Sequence, residues 1–432
     1  MTIAETQSVC HVCKRTVPAW IVFRGKEVFL EKSCLEHGVS KAAIWPDVNH
    51  YRWMESFKSL HAAPSSPHPA VFGCPRDCGP CTNHRRRPVL VEVEVTGKCN
   101  LRCPVCFTAS GQARDEASLA KEPSMAELEL IFRNIMDKCG PHTGIQLTGG
   151  EPSFREDLTE IVRLARKIGF DAVELNTNGI TLAQKPGYAR ALADAGISGV
   201  FLQFDGVSDD IYRITRGADL LEIKLDAIEQ CRRADVQAVL AMTVIDGVNG
   251  DQLGEVLRFA LKNRDVIAGI AYQPAFGSGR FDVKMRKRLS MGDVIFLLAE
   301  QSEGLIGARD LWPLSCSHPL CSCSTYLIED AKGRIIPFSR QITPEEYLSR
   351  ADPNSPQGAV LPDIAHRRDP RLVRGLSIVI MNYMDIWNID LNKLRECSMT
   401  VAGRDGKIIP FCAYHLFGCK GVGDESERCG GS

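Results

Sequence analysis

Residues 89–107 read Val-Leu-Val-Glu-Val-Glu-Val-Thr-Gly-Lys-Cys-Asn-Leu-Arg-Cys-Pro-Val-Cys-Phe. The first seven residues form a β-rich run of strand length, and three cysteines follow it closely. A [4Fe–4S] cube has four irons, and Cys99, Cys103 and Cys106 can bind three of them. Because no fourth cysteine lies nearby in the sequence, we expect one iron to take an exogenous ligand. The amine and carboxylate of an amino acid are a suitable chelate for it.

The run at 89–95 is the first of six in the middle of the chain, and stretches of helical length separate them. The predicted strands span residues 89–95, 144–148, 172–176, 199–204, 237–245 and 267–273. The predicted helices include residues 124–138, 157–168, 219–234 and 251–263. Because each connection is long enough for a helix and too long for a hairpin, the pattern predicts a parallel sheet. We expect an α/β fold, a partial (β/α)6 TIM-like barrel whose functional face lies at the carboxyl ends of its strands.

The length of 432 residues predicts two or three domains. We expect a metal-binding module over residues 1–60, a linker and cysteine loop over 61–87, the barrel over 88–298, and a cysteine-rich C-terminal domain over 299–432. The chain has no apolar run near the ~18 residues of a membrane helix and no signal peptide, which predicts no transmembrane segment and a cytoplasmic location. Its 52 basic and 53 acidic residues give a net charge of −1, so we expect no nucleic-acid partner.

Metal ligation is the expected use of most of the 18 cysteines, because a chain without a secretory signal is a poor host for disulfides. Cys139 and Cys231 stand alone in helical patterns and are expected to be buried, inert thiols. The first 60 residues contain a set suited to one tetrahedral ion, either structural zinc or a rubredoxin-like iron. Its members are Cys10, Cys13, Cys34 and His37.

A second cysteine group repeats the three-then-two spacing only a short distance before the first predicted strand. Cys74, Cys78 and Cys81 lie in a loop rich in proline and glycine, and no strand leads into it. We therefore expect an auxiliary cluster with a fourth ligand from elsewhere in the chain. Cys397 and Cys412 are the candidates for that ligand.

A third group consists of Cys316, Cys321 and Cys323, and a tail cysteine would complete an auxiliary cluster there as well. The arrangement Cys-Ser-Cys at 321–323 leaves open which of these two thiols binds metal. Some thiols of the second and third groups could instead be unligated packing residues. Cys419 and Cys429 stay unassigned.

The second predicted strand ends in Thr-Gly-Gly-Glu-Pro at residues 148–152. Glycines there let the backbone approach a ligand closely and leave main-chain polar groups free to bind it. A Cys-x3-Cys-x2-Cys motif after the first strand, together with Gly-Gly-Glu-Pro after the second, resembles the radical S-adenosylmethionine (SAM) superfamily. The resemblance implies that Cys99, Cys103 and Cys106 hold the cluster and that its open iron binds the methionine part of SAM.

The same resemblance implies a set of residues that contact SAM. Val105 corresponds to the apolar residue beside the adenine, and Arg216 is a candidate partner for the SAM carboxylate, since a guanidinium fork suits that geometry. The motif residues that would meet the SAM amino group are Gly149, Gly150 and Glu151. Ribose or carboxylate contacts are expected from Asn176, Asn178 and Gln203.

The order of the cysteine motifs along nearly the whole chain resembles a subgroup that contains the archaeal tetraether lipid synthase and the pterin-methylating radical SAM enzymes. This resemblance implies an N-terminal rubredoxin-like iron, two auxiliary [4Fe–4S] clusters beside the SAM cluster, and formation of carbon–carbon bonds at unactivated carbons. It also implies a low-potential electron donor such as a ferredoxin or flavodoxin.

Three functions are compatible with the sequence. The leading hypothesis is C-methylation of a small heterocycle such as a pterin with a reduced-folate-type one-carbon donor, and the second is coupling or modification of lipid alkyl chains. A multi-cluster electron-transfer protein needs neither Gly-Gly-Glu-Pro nor six β/α repeats. A compact polar pocket would favour a heterocycle, and a wide apolar groove a lipid. Four side chains could face a substrate, although packing is the expected role of each: Tyr272, Gln273, His318 and Tyr326.

Overall fold

The computed structural model describes residues 2–58, 63–64, 67–71, 73–75, 79–110, 122–140, 142–351, 360–369 and 375–417. The N-terminal module is a four-stranded antiparallel sheet whose strands neighbour one another in chain order. Buried and more exposed residues alternate along its second and third strands, as expected for a sheet with one face on a core. Its elements are β1 (Thr2–Val9), β2 (Thr16–Arg24), β3 (Glu27–Cys34), β4 (Gly38–Trp45) and α1 (Val48–Glu55).

The six predicted strands of the middle region are all present, and they lie side by side in chain order with parallel pairing. Short elements β6 and β12 pair with each other outside this sheet. The strands are β5 (Leu90–Thr96), β6 (Val105–Cys106), β7 (Gly144–Gly149), β8 (Val173–Thr177), β9 (Gly199–Gln203), β10 (Ala238–Val244), β11 (Ile267–Pro274) and β12 (Arg280–Phe281).

Helices connect these strands and cover the outer face of the sheet, where their apolar stripes are buried. Ser124 begins the first of them with a capping box. Its side chain accepts from the backbone N–H of Glu127, and the Glu127 carboxylate accepts from the backbone N–H of Ser124. The helices are α2 (Met125–Cys139), α3 (Leu158–Ile168), α4 (Ile180–Gln184), α5 (Tyr188–Ala195), α6 (Asp209–Arg216), α7 (Leu221–Ala234), α8 (Leu253–Lys262) and α9 (Met291–Gln301). The prediction of a parallel β/α barrel region is confirmed.

Residues after 298 extend the same sheet at both edges. One late strand pairs parallel with β11 and another pairs parallel with β5, so eight neighbouring strands of the described chain run parallel. The elements are β13 (Trp312–Pro313), β14 (Ser322–Glu329), β15 (Ile335–Pro337), β16 (Leu376–Met381), β17 (Met399–Ala402) and β18 (Ile408–Pro410), with α10 (Pro344–Arg350), α11 (Val360–Arg368), α12 (Leu391–Leu394) and α13 (Phe411–Phe417). These strands were not predicted from the sequence, because they are short and no β/α rhythm leads to them.

The N-terminal module is joined to the segment between β16 and β17. Ser8 Oγ donates to the Ile389 carbonyl at 2.6 Å, and Thr6 Oγ1 donates to Asp390 Oδ1 at 2.6 Å. The buried Lys32 ammonium donates to the carbonyls of Val9 and Ile386. These contacts anchor the segment on which part of the central cavity is built.

A cavity of about 400 Å³ lies inside the sheet, bounded by β5, β7–β11, β14, β16 and the loops at their ends. Small inward-facing residues such as Ala241, Gly269, Ala271 and Ser377 leave this space open, where larger side chains would fill a barrel interior. Its volume lies in the range of small-molecule and cofactor sites. No helix in the described ranges has the length and apolar character needed to cross a bilayer.

Candidate active site

The loop after β5 carries Cys99, Cys103 and Cys106 at the rim of the cavity. Its second half is fixed by β6, where Cys106 pairs with Arg280 of β12. Arg280 Nε also donates to the Cys103 carbonyl at 2.6 Å, and Nη2 donates to the Ser110 carbonyl at 2.9 Å. The remaining Nη1 is buried without a hydrogen bond to the described residues. Arg280, which was not predicted from the sequence, therefore holds the loop in place, and its Nη1 remains available as a donor.

The glycines of the Gly-Gly-Glu-Pro motif serve the same loop. The Gly150 N–H donates to the Thr96 carbonyl and the Glu151 N–H to the Lys98 carbonyl, both at 2.8 Å. A Cβ atom at Gly149 or Gly150 would lie 2.1 Å from one of these two carbonyl oxygens. The expectation that the glycines leave their N–H groups free for a ligand is therefore wrong for Gly150, because its N–H holds the loop.

Glu151 is buried and ties β7 to β8. Its carboxylate accepts from the Ser153 hydroxyl and the Thr177 hydroxyl, each at 2.6 Å, and from the Asn178 N–H at 2.7 Å. The Asn178 side-chain amide in turn donates to Asn100 Oδ1 at 2.7 Å, within the cysteine loop. The structure thus brings Glu151 and Asn178 to the loop as supports, and their contacts with SAM stay predictions.

The three thiols interact electrostatically with one another, which places them in one group. Burial raises the pKa of the Cys99 thiol to about 11, and it raises the pKa of Cys103 as well. The Arg216 guanidinium acts in the opposite direction on Cys103 and favours the thiolate, which is the form that binds metal. Val105 and Phe107 of the same loop line the cavity, and a group of three thiols fits a cluster with one open iron.

Four of the predicted SAM contacts line the cavity beside this loop: Val105, Asn176, Gln203 and Arg216. Arg216 is tied to the fully buried Asp205, donating through Nε at 2.6 Å and Nη2 at 3.0 Å, and its Nη1 donates to the Val105 carbonyl at 2.9 Å. Burial alone would raise the pKa of Asp205, but Arg216 and the bonds from Thr215 and Thr243 lower it. Arg216 therefore stabilises the loop through Val105, and its role toward the SAM carboxylate stays a prediction.

Lys224 is a second residue that the sequence analysis missed. It is fully buried on α7, and its Nζ donates to Gln203 Oε1 at 2.6 Å and to the Asn178 carbonyl. Burial lowers the pKa of the Lys224 ammonium to about 7, and the nearby Arg216 adds to the effect. The bond fixes the Gln203 amide, whose Nε2 is buried without a partner in the described structure. The sequence pattern could have indicated that Lys224 is buried, because it lies on the same face of α7 as the apolar residues Ala227, Ile228 and Cys231.

A second set of thiols lines the opposite part of the cavity. Cys321, Cys397 and Cys412 interact electrostatically with one another, and burial raises the pKa of each thiol. Positive charges lie close, since Lys393 acts on Cys321 and Cys412, and Arg86 acts on Cys316 and Cys321. All four thiols of this wall are cavity-lining residues: Cys316, Cys321, Cys397 and Cys412.

Cys323 does not join this wall. Ser322 and Ser324 line the cavity, whereas the intervening Cys323 is fully buried in the apolar core on the other face of β14. Of the two alternatives at 321–323, the structure therefore brings Cys321 to the other cysteines and separates Cys323 from them.

The loop with Cys74 and Cys81 packs against the same C-terminal segment. His84 shares a hydrogen bond of 2.8 Å with the Cys397 carbonyl, and Gly79 lies against the Ile408 carbonyl. Cys74 packs against the apolar cluster that contains Cys412. Cys78, Cys419 and Cys429 lie outside the described residues.

The N-terminal quartet is the tightest group of ligand atoms in the described chain. Cys13 Sγ and Cys34 Sγ lie 3.8 Å apart, and His37 Nδ1 lies 3.5 Å from Cys34 Sγ and 3.8 Å from Cys10 Sγ. A tetrahedral ion with metal–sulfur bonds of about 2.3 Å keeps its sulfur ligands about 3.8 Å apart. The four side chains, all within 4.8 Å of one another, fit a single tetrahedral zinc or iron.

The four side chains considered for substrate contact have different surroundings. Tyr272 is fully buried and donates to the Leu253 carbonyl at 2.8 Å, and Tyr326 accepts from the Gly375 N–H at 2.9 Å. His318 accepts from the Leu320 N–H at 3.2 Å, and burial lowers the pKa of its imidazole to about 3. Of the four, Gln273 lines the cavity.

Two family models match the chain. The Radical SAM superfamily matches residues 93–260, and the HMPTM N-terminal zinc ribbon domain matches residues 2–46. The first match contains the cysteine loop and the Gly-Gly-Glu-Pro motif, and the second contains the N-terminal quartet.

The chain is also similar to characterised proteins. The 7,8-dihydro-6-hydroxymethylpterin dimethyltransferase of Methanocaldococcus jannaschii is 31% identical over an alignment that covers 95% of this chain and 93% of that enzyme. A GTP 3',8-cyclase of Listeria monocytogenes is 33% identical over 44% of this chain and 55% of the cyclase. Among solved structures, Streptococcus suis SuiB matches 51% of this chain at 16% identity with a TM-score of 0.42.

Proposed function

The chain belongs to the radical SAM superfamily, and we propose that it forms a carbon–carbon bond by methylating a carbon atom of a small heterocycle, most specifically a reduced pterin. The observation that carries the proposal is the similarity to a pterin dimethyltransferase, which extends over nearly the full length of both chains. Coverage of 95% of the chain extends well beyond the barrel. We take the methyl group to come from a reduced-folate-type one-carbon donor.

The cluster would be held by Cys99, Cys103 and Cys106, and SAM would lie in the adjoining cavity. When bound, the cluster and SAM supply a one-electron cleavage of a carbon–sulfur bond and a radical that removes hydrogen from an unactivated carbon. The protein's own residues position and shield these groups. Arg280 and Arg216 fix the loop through backbone carbonyls, and Lys224 orients the Gln203 amide toward the space beside it.

Two auxiliary [4Fe–4S] clusters are part of the proposal. Cys316, Cys321, Cys397 and Cys412 line one wall of the cavity, which supports a cluster close to the substrate space. Cys74, Cys78 and Cys81 would hold the other cluster with Cys397 or Cys412 as the fourth ligand, which leaves the other of these two thiols to the first cluster. With one mononuclear zinc or iron at the N-terminal quartet, three cubes and one iron would amount to about thirteen iron atoms. A ferredoxin or flavodoxin would supply the electron.

Polar side chains in the cavity support a heterocycle over an alkyl chain. The cavity has a volume of about 400 Å³, and its largely apolar wall includes hydrogen-bonding groups from Glu92, Gln146 and Glu174 on neighbouring strands. A long alkyl chain cannot hydrogen-bond to such groups. Burying them against it would remove their hydration without replacing it, which is unfavourable.

The test is an anaerobic assay of the reconstituted protein with SAM, a reductant, 6-hydroxymethyl-7,8-dihydropterin and a carbon-labelled one-carbon donor. We expect 5′-deoxyadenosine together with a pterin whose mass has increased by one or two labelled methyl groups. The Cys103→Ala variant serves as the control and should give neither product. Formation of 5′-deoxyadenosine with no labelled pterin, under conditions that give coupled alkyl chains, would reject the pterin in favour of a lipid.

A further inference from the structure

We propose that Glu92, Gln146 and Glu174 form a subsite that binds the 2-amino-4-oxopyrimidine edge of a heterocyclic ligand through its N–H groups. This inference rests on the proposed function, because it names the part of the pterin that the cavity floor recognises. None of the three residues belongs to the cysteine loop or to the residues expected to contact SAM.

The three side chains form a row across three neighbouring strands. Glu92 of β5 lies opposite Gln146 of β7, and Gln146 lies opposite Glu174 of β8. All three line the cavity. Neighbouring strands are about 4.8 Å apart, so side chains at adjacent positions of the row are close enough to contact one small ring.

Glu92 is the unexplained member of this row. Its side chain is only 3% exposed, and it makes no hydrogen bond or ion pair with the described residues. Burial raises the pKa of its carboxyl to about 8, and the neighbouring Glu94 is the one charged group that adds to the rise. A buried carboxyl without a partner is unfavourable unless a ligand supplies donors. The Glu92 carboxyl therefore fits a ligand that supplies N–H groups as hydrogen-bond donors.

The rest of the row determines which donors fit. Gln146 Nε2 donates to Glu174 Oε2 at 3.1 Å. This bond fixes the orientation of the Gln146 amide, whose Oε1 is an acceptor. A ligand that donates N–H groups would favour the ionised form of Glu92 against its raised pKa, and the carboxylate and Gln146 Oε1 would then offer acceptors only. A 2-amino-4-oxopyrimidine ring presents one ring N–H and two amino hydrogens along a single edge. The carboxylate would take the ring N–H and one amino hydrogen, and Gln146 Oε1 would take the other.

Apolar side chains border the row on the cavity wall. Leu90 is two residues before Glu92 on the same face of β5, and Phe201 and Val239 line the cavity from the next strands. A flat heterocycle can bury its faces against such groups while its edge meets the polar row. A hydrated metal ion would gain nothing from them.

The test compares two pairs of ligands that differ only at this edge. Binding to the anaerobic holoenzyme is measured by calorimetry for 6-hydroxymethylpterin against 6-hydroxymethyllumazine, and for 2-amino-6-methylpyrimidin-4-one against 6-methyluracil. We expect the amino compound of each pair to bind roughly 10- to 100-fold more tightly, because the 2-oxo group places an acceptor against Glu92. Glu92→Gln should reduce this preference to less than about threefold.

Glu94→Gln is the matched control, since Glu94 lies on the same strand, accepts from the Tyr414 hydroxyl and does not line the cavity. It should keep the preference, and iron content and SAM cleavage verify that each variant is intact. Equal binding of both members of each pair to the parent protein overturns the subsite, whatever the variants do. A Glu92-dependent preference without any methylated pterin would leave the subsite standing and reject the proposed reaction instead. Competition with tetrahydrofolate shows whether the substrate or the one-carbon donor occupies the site.

Discussion

The N-terminal quartet and the loop after β5 both bring three cysteines together, yet they are built for different tasks. In the quartet, His37 closes the set, and the measured ligand separations of 3.5 to 3.8 Å suit one ion. The loop thiols form a group of three without a histidine to close it, and Val105 of the same loop lines the cavity. A closed set stabilises a fold, whereas a set with one open side leaves a position for chemistry.

The largest effect is expected from a substitution in the open set, which consists of Cys99, Cys103 and Cys106. Cys103→Ala should abolish 5′-deoxyadenosine formation, because two thiolates do not retain the cluster that binds SAM. Product is measured by liquid chromatography after reduction in the presence of SAM. Cys231→Ala, which removes an isolated buried thiol on α7, is the control and should retain the product. Undiminished product from Cys103→Ala would contradict the comparison.

The closed set should behave in the opposite way. Cys34→Ala is expected to remove the single zinc or iron of the quartet and to lower the thermal unfolding midpoint, because metal binding there contributes to folding. The yield of 5′-deoxyadenosine should change by less than about threefold, since the quartet adds no ligand to the open cluster. Elemental analysis and the same product assay give both values. Loss of product in step with the ion would show that the two sets act as one.

The support of the open set can be tested at Asp205, which is fully buried and holds Arg216 beneath the loop. Asp205→Asn should destabilise the protein by about 3 to 5 kcal/mol, because it leaves a buried guanidinium without its counter-charge. Asp210→Asn removes an exposed partner of Arg213 and should cost less than about 1 kcal/mol. Denaturant unfolding compares the two variants, and equal losses would refute a structural role for the buried pair.

Lys224 supports the cavity beside the open set. Lys224→Met should raise the KM for SAM by roughly tenfold while kcat changes less, because the Gln203 amide would lose the bond that orients it. Lys224→Arg keeps a donor and should restore part of the affinity. If Met and Arg at this position give the same KM, the orienting bond has no role in binding.

The smallest effect concerns pH. The folded-state pKa of Glu92, about 8, exceeds its ordinary value of 4.5, so the native protein holds this proton more tightly than the unfolded chain. Glu92 therefore lowers stability progressively as the pH rises from about 4.5 to about 8. Glu92→Gln should gain in unfolding midpoint over the parent across this window and keep a constant gain above it. Midpoints at about pH 5, 7 and 9 check this, and a difference independent of pH would contradict it. Glu94, Tyr383 and Tyr414 are titratable neighbours of Glu92, and burial raises the pKa of each tyrosine, so both tyrosines stay neutral here.

The strands of the barrel could be predicted from local pattern. All six predicted strands begin and end within one residue of the observed bounds, because strands buried in a parallel sheet are continuous apolar runs. β16 and β17 were missed, since their partners β11 and β5 lie far away in the chain and no β/α rhythm leads to them.

The candidate site divides in the same way. Spacing in the sequence was enough to predict Cys99, Cys103 and Cys106 and the N-terminal quartet as metal ligands, because metal ligation requires particular side chains at short intervals. Spacing could not separate Cys321 from Cys323, because Cys321 lies just before β14 and lines the cavity, whereas Cys323 lies on the face of β14 that packs into the apolar core. It also could not show that Gly150 serves the cysteine loop, since the contact joins two strands.

The sequence by itself determined the barrel strands and the family and predicted the thiols that would bind metal, all of which depend on residues near one another in the chain. Only the tertiary structure decided which polar groups meet inside the cavity. Lys224, Arg280 and the row at Glu92 come from elements far apart in the sequence, and their burial follows from how those elements pack. Burial makes their hydrogen bonds and charges matter, and burial is a property of the packed fold rather than of any single segment.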